Sequence, residues 1–179
     1  VSKDGQTQTE SPGQSQTGLF SGYAAPEERP PLLSYAVLTA VFNGVVGALL
    51  LLARRQGRQL PERPAAADLL LTGVASHKLS RLIAKDKVTS PLRVPFTELE
   101  EQGGPSELEE SSRGKGARKA IGELLICPYC LDLWVVAGFS LGLLFVPRLT
   151  RFLASIFSAL TISDFLQIAY KAAEEKGLG

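Results

Sequence analysis

The sequence predicts an all-α, polytopic membrane protein with three transmembrane helices and one amphipathic helix at the interface; four spans is the alternative. Three observations carry this expectation. Residues 32–53 contain no charged side chain. Residues 131–146 and 149–170 are two further apolar runs, parted by Pro147 and Arg148. The charged residues crowd into 53–63, 78–119 and the two ends, leaving the apolar windows nearly empty.

In chain order, residues 1–31 are rich in Gln, Ser, Thr, Gly and Pro, and read as a polar, disordered tail that buries too little to offset the entropy of ordering. The lack of Met at position 1 reads as a trimmed start. Residues 32–53 are the first span. About 22 residues at about 1.5 Å each reach about 33 Å, enough for a hydrocarbon core of about 30 Å. Arg54 and Arg55 stop it.

Residues 65–84 repeat apolar side chains at helical spacing, but Asp68, His77, Lys78 and Arg81 interrupt them. Such groups are expensive in lipid, so this segment is expected at the interface. Residues 85–126 are expected as an extended, proline-restricted strap followed by a Gly/Glu/Ser linker, with helical character resuming at 117. Residues 131–170 form a transmembrane helical hairpin around Pro147-Arg148, and 171–179 a charged tail.

Loop basicity orients the chain. With three spans, the N-terminus outside and the C-terminus cytoplasmic, fifteen Lys/Arg lie inside and four outside. With four spans and both ends inside, eleven lie inside, six outside and two in the membrane. The three-span arrangement has the stronger bias, and it sets Cys127 and Cys130 at the cytoplasmic end of their helix, normally reduced. A net charge of +1 argues against a nucleic-acid partner.

Small residues at every fourth position form ridges suited to close helix packing: Ala36, Ala40, Gly44 and Ala48; Gly138 and Gly142; Ser155, Ala159 and Ser163. Asn43 lies near the first ridge and can hydrogen-bond across such a contact. Asp164 is an ionisable group inside the last apolar run; it needs a partner, with His77, Lys78 and Arg81 in view.

Cys127-Pro128-Tyr129-Cys130 is the most specific string. Two thiols at this spacing at a helix start are the arrangement of glutaredoxin-type redox pairs, in which Cys127 would be the nucleophile and Cys130 the resolver. The alternating strands and helices of a thioredoxin-like fold are missing from the pattern around it. A metal site built on His77, Cys127 and Cys130, with Glu123 or Asp86 as fourth ligand, is a further alternative without a recognisable ligand spacing. Otherwise the two Cys side chains pack as small hydrophobes behind Pro128.

Over HKLSRLIAKDKVTSPLRVPF (77–96) and GELLICPYCLDLWV (122–135) the chain resembles a family of small bacterial membrane proteins of unknown function, one of them sporulation-associated. The pattern falls on Arg81, Asp86, Thr89, Ser90, Pro91, Arg93, Pro95, Phe96, Gly122, Glu123, Cys127, Pro128, Cys130 and Trp134, while Asp132 stands where a small residue is expected. The resemblance implies a bacterial inner-membrane location and no reaction. Both stretches flank one membrane face in the three-span arrangement, so Arg81, Asp86, Arg93 and Glu123 are expected to meet in a polar knot beneath the helices. The leading expectation is a non-enzymatic scaffold or accessory subunit, packed against other membrane proteins or a second copy of itself, with no cofactor. A membrane thiol-disulfide oxidoreductase is the alternative and a Cys/His metal-binding protein the second.

Overall fold

The computed structural model describes residues 30–177. The tail expected over 1–31 lies, apart from Pro30 and Pro31, outside the described residues, as do the last two residues of the chain. The described elements run α1 (Leu32–Arg55), α2 (Ala66–Lys85), a 3-10 turn (Lys87–Thr89), α3 (Ser90–Arg93), β1 (Thr97–Gln102), β2 (Leu108–Ser112), α4 (Ala117–Ile126), α5 (Pro128–Phe145) and α6 (Pro147–Gly177). The protein is mainly all-α, with one small two-stranded sheet among the described residues. Among the described residues, three helices are long and apolar enough to cross a membrane, α1, α5 and α6.

Local chemistry sets the helix ends. Arg54 and Arg55 occupy the last turn of α1, where cations complement the helix dipole. Gly57, at φ 71°, then turns the chain away while the Gly57 and Arg58 amides close on the carbonyls of Arg54 and Ala53. Pro128 and Pro147 open α5 and α6, where a missing amide proton costs nothing.

Packing centres on α2. Its buried stripe is made of small side chains, Thr72, Ala75, Ser76, Ser80 and Ala84, which let α5 and α6 approach along its length. Ala75, Phe139 and Ala154 form the core, flanked by Leu71, Leu79, Val135 and Phe157. Paired contacts give the directions. Asp68 meets Arg151, Leu71 meets Ser158, Val74 meets Thr161 and Lys78 meets Asp164, so α2 runs parallel to α6. Tyr35 meets Glu123, the Phe42 and Trp134 rings touch edge-on with centroids 5.0 Å apart, and Arg58 reaches Leu144, so α1 runs parallel to α5.

Two expectations about the path of the chain change here. The starts of α1 and α5 share one end of the bundle, so an N-terminus outside and Cys127 inside do not both fit helices that cross. The segment expected as extended strap and mobile linker is ordered structure: a 3-10 turn, α3 and an antiparallel hairpin pairing Thr97 with Ser112 and Leu99 with Glu110. The hairpin is acidic and lacks apolar alternation, and three cations from the preceding segments hold it in place. Arg81 forks onto Glu107 at 2.8 and 2.9 Å, Lys85 meets Glu109 at 2.7 Å and Arg93 meets Glu110 at 2.5 Å.

Candidate functional site

Three features converge where α4 turns into α5: a platform, a cleft and a cysteine pair. The platform is built on Arg93, whose side chain is fully buried. Its guanidinium donates to the Glu110 carboxylate, the Ile83 carbonyl at 2.7 Å, the Thr89 hydroxyl at 2.8 Å and the Asp86 carbonyl at 3.1 Å. A buried charge is tolerable only with this degree of pairing. Asp86 contributes through its backbone, while its carboxylate accepts from the Val88 amide at 3.0 Å and caps the 3-10 turn. Gly122 lets α4 lie against this platform: a Cβ there would sit 2.5 Å from the Phe96 carbonyl oxygen and 3.1 Å from Ser112 Cβ. The hairpin therefore fixes α4, and α4 delivers Cys127 to the start of α5.

At that start Cys127 is the N-cap residue, and its Sγ accepts from the Cys130 amide at 3.2 Å. The two sulfurs lie at disulfide distance. Cys127 caps the first turn of α5 and Cys130 lies within it. Tyr129 between them is 90% exposed.

The cleft, of about 280 Å³, lies between the first turns of α1 and the α4–α5 junction. Tyr35, Leu38, Thr39 and Phe42 form one wall; Glu123, Leu124, Cys130, Leu133 and Trp134 form most of the other. The Tyr35 hydroxyl donates to the Glu123 carboxylate, whose second oxygen has Lys119 Nζ at 3.9 Å. The cleft is thus apolar and aromatic, with one phenol–carboxylate pair and one sulfur in its lining.

Of the expected knot, Arg81, Asp86 and Arg93 gather at the hairpin, while Glu123 belongs to the cleft. Asp164 pairs with Lys78 at 2.6 Å. The expected ridges lie mostly away from the contacts. Ala36, Ala40, Gly44 and Ala48 are exposed, as is Asn43, whose amide bonds the Thr39 carbonyl of its own helix. Gly138 has open space above it, whereas a Cβ on Gly142 would meet Thr150 Oγ1 at 2.6 Å. Ser155, Ala159 and Ser163 are exposed, and α6 packs instead through Thr150, Ala154, Ser158 and Thr161. His77 is exposed on α2, and among the described residues no three His, Cys, Asp or Glu side chains gather as a metal site.

Sequence reasoning missed Glu107, Glu109, Glu110, Tyr35 and the Asp68–Arg151 pair, whose two contacts are both 2.8 Å. The strand TELEEQ carries no alternating apolar pattern that could have announced it. Nothing local ties Tyr35 to a residue 88 positions away.

Residues 70–170 match the family described as Protein of unknown function (DUF1360). The chain is 28% identical over 102 residues to "Sporulation protein YjcA" of Bacillus subtilis (strain 168), covering 55% of this chain and 86% of that protein. It is 30% identical over 91 residues to "UPF0713 protein YngL" of the same organism, covering 49% of this chain and 66% of that protein. No solved structure matches.

Proposed function

We propose, from the premise that this chain belongs to the DUF1360 family of unknown function, that it is a bacterial inner-membrane protein working as a thiol-disulfide element. Cys127 is the attacking and Cys130 the resolving sulfur. One observation carries the reading: the two sulfurs lie at disulfide distance in the first turn of α5, with the platform and α4 holding that turn in place. Closure of so short a loop needs no movement elsewhere in the fold, and exchange starts by attack of one sulfur on a disulfide. The family match also spans both strings that carry the sequence resemblance.

In this reading α2 crosses the membrane with its neighbours. It lies lengthwise beside α5 and α6, and its Lys78 is neutralised by Asp164. Its 20 residues reach about 30 Å, the thickness of a hydrocarbon core. Four crossing helices then put the hairpin, the cysteines and both ends of the described chain on the cytoplasmic face.

The test equilibrates the detergent-purified protein in glutathione buffers of graded potential and traps free thiols with a mass-tagged maleimide. A single reversible transition in which both thiols appear together, lost in Cys127→Ser, is expected. Two thiols that stay fully reactive in the most oxidising buffer overturn the proposal.

The scaffold reading is favoured by a different feature: the ridge Ala36, Ala40, Gly44 and Ala48 points away from the chain's own bundle. It predicts a homo-oligomer or a bound membrane partner in mild detergent that Gly44→Leu disrupts. A monomer unaffected by that substitution excludes it.

A further inference from the structure

The cysteine pair and the cleft share a side chain, Cys130, and the proposed exchange does not use the rest of the cleft. Its walls are Leu38, Phe42, Leu124 and Leu133 with the edge-on Trp134, a lining for a flat apolar ring. Its polar groups are the Thr39 hydroxyl and the Tyr35–Glu123 pair, whose phenol proton goes to the carboxylate and can turn to an oxygen-bearing ligand only by leaving it. The cleft is flanked by α1, an apolar helix long enough to span a membrane, so a hydrophobic molecule can reach it from lipid. Its volume, about 280 Å³, lies near the small end of the range for ligand sites.

An acyl chain would use the apolar wall alone, and a soluble thiol would use the sulfurs alone. A membrane-soluble quinone uses all three features: ring against the wall, carbonyl oxygen against the phenol–carboxylate pair, and redox exchange with the dithiol. From this we infer that the cleft binds a membrane quinone and that the Cys127–Cys130 pair passes electrons to it. The inference rests on the thiol-disulfide reading. The step balances. Both S–H bonds break and one S–S bond forms. Two electrons and two protons go to the quinone, whose two carbonyl oxygens become the hydroxyls of a quinol. Quinones drain electrons from protein thiols that serve the bacterial periplasm, and the same two-electron chemistry is inferred here on the cytoplasmic side. Cys130, in the cleft wall, is the sulfur that faces the quinone. Tyr35 and Glu123 are positioning residues.

The experiment uses the full chain in lipid nanodiscs, reduced, freed of reductant and kept anaerobic. Decylubiquinone, whose fully substituted ring resists direct thiol addition, is added to one sample and glutathione disulfide to another. Loss of protein thiols and formation of quinol are followed together. The readout is the ratio of the two oxidation rates in each variant, which removes losses from poor folding. One quinol for each pair of thiols lost is expected. Thr39→Trp and Leu124→Trp, which fill the cleft from opposite walls, should each lower the ratio about tenfold or more, the scale of a disrupted apolar pocket. Leu70→Trp, equally bulky on an exposed face of α2, should leave it unchanged. If glutathione disulfide oxidises the pair and decylubiquinone does not, or if both cleft variants keep the parent ratio, the quinone inference is overturned and the thiol-disulfide reading stands. If neither oxidant closes the pair, both fall.

Discussion

Removing the Glu110 carboxylate should free the hairpin from the helices. Arg93 and Glu110 are 0% and 5% exposed, so solvent cannot replace the lost charge. Taking one partner from a buried ion pair costs about 3–5 kcal/mol, because the other charge stays behind uncompensated. In Glu110→Ala the guanidinium keeps three neutral acceptors, at Ile83, Thr89 and Asp86, which places the cost near the lower end, about 3 kcal/mol. At about 1.4 kcal/mol per factor of ten, the hairpin amides should exchange with solvent about a hundredfold faster. Hydrogen-exchange mass spectrometry on peptides covering residues 97–112, in detergent, reads this directly. Glu101→Ala, an exposed site on the same strand, should change exchange by less than about threefold. The double variant Arg93→Met with Glu110→Leu should recover much of the loss, since buried ion pairs are replaceable by well-packed apolar groups. If Glu110→Ala leaves hairpin exchange within about threefold of the parent, the buried pair does not hold the platform together.

The glycines separate the contacts that matter from those that do not. Gly122→Ala and Gly142→Ala should each destabilise the protein by about 1–3 kcal/mol, read by thermal unfolding in detergent, while Gly138→Ala should be silent. Thr150→Ala should rescue Gly142→Ala, because the Thr150 side chain is what the new methyl group meets. Exchanging Lys78 and Asp164 should restore the folded yield that either single reversal loses, whereas equal loss in the double variant would show that the pair does not act as a pair. In a background with both native cysteines replaced by Ser, Gln59→Cys should label with a membrane-impermeant maleimide in intact cells and Lys115→Cys should not. Labelling of both positions, or of neither, contradicts α2 crossing the membrane.

The three apolar helices were legible because span length and absence of charge are properties of one continuous segment, and lipid selects for both. Their ends were legible for the same reason: Arg54, Arg55, Pro128 and Pro147 act within one turn of themselves. The spacing of Cys127 and Cys130 already placed two sulfurs on one helical turn. What the tertiary structure alone decided involves pairs far apart in the chain. A small-residue period marks a face without saying what lies against it, which is why α6 uses Thr150, Ala154 and Ser158 while Ser155 and Ala159 stay outside. The hairpin is acidic enough to read as a linker, since it is held by ion pairs with Arg81, Lys85 and the fully buried Arg93 in place of apolar side chains. The direction of α1 rests on Tyr35 meeting Glu123 and Phe42 meeting Trp134. Those contacts bring the cleft to Cys130. They form only when helices separated by about half the chain dock, and no local propensity encodes that docking.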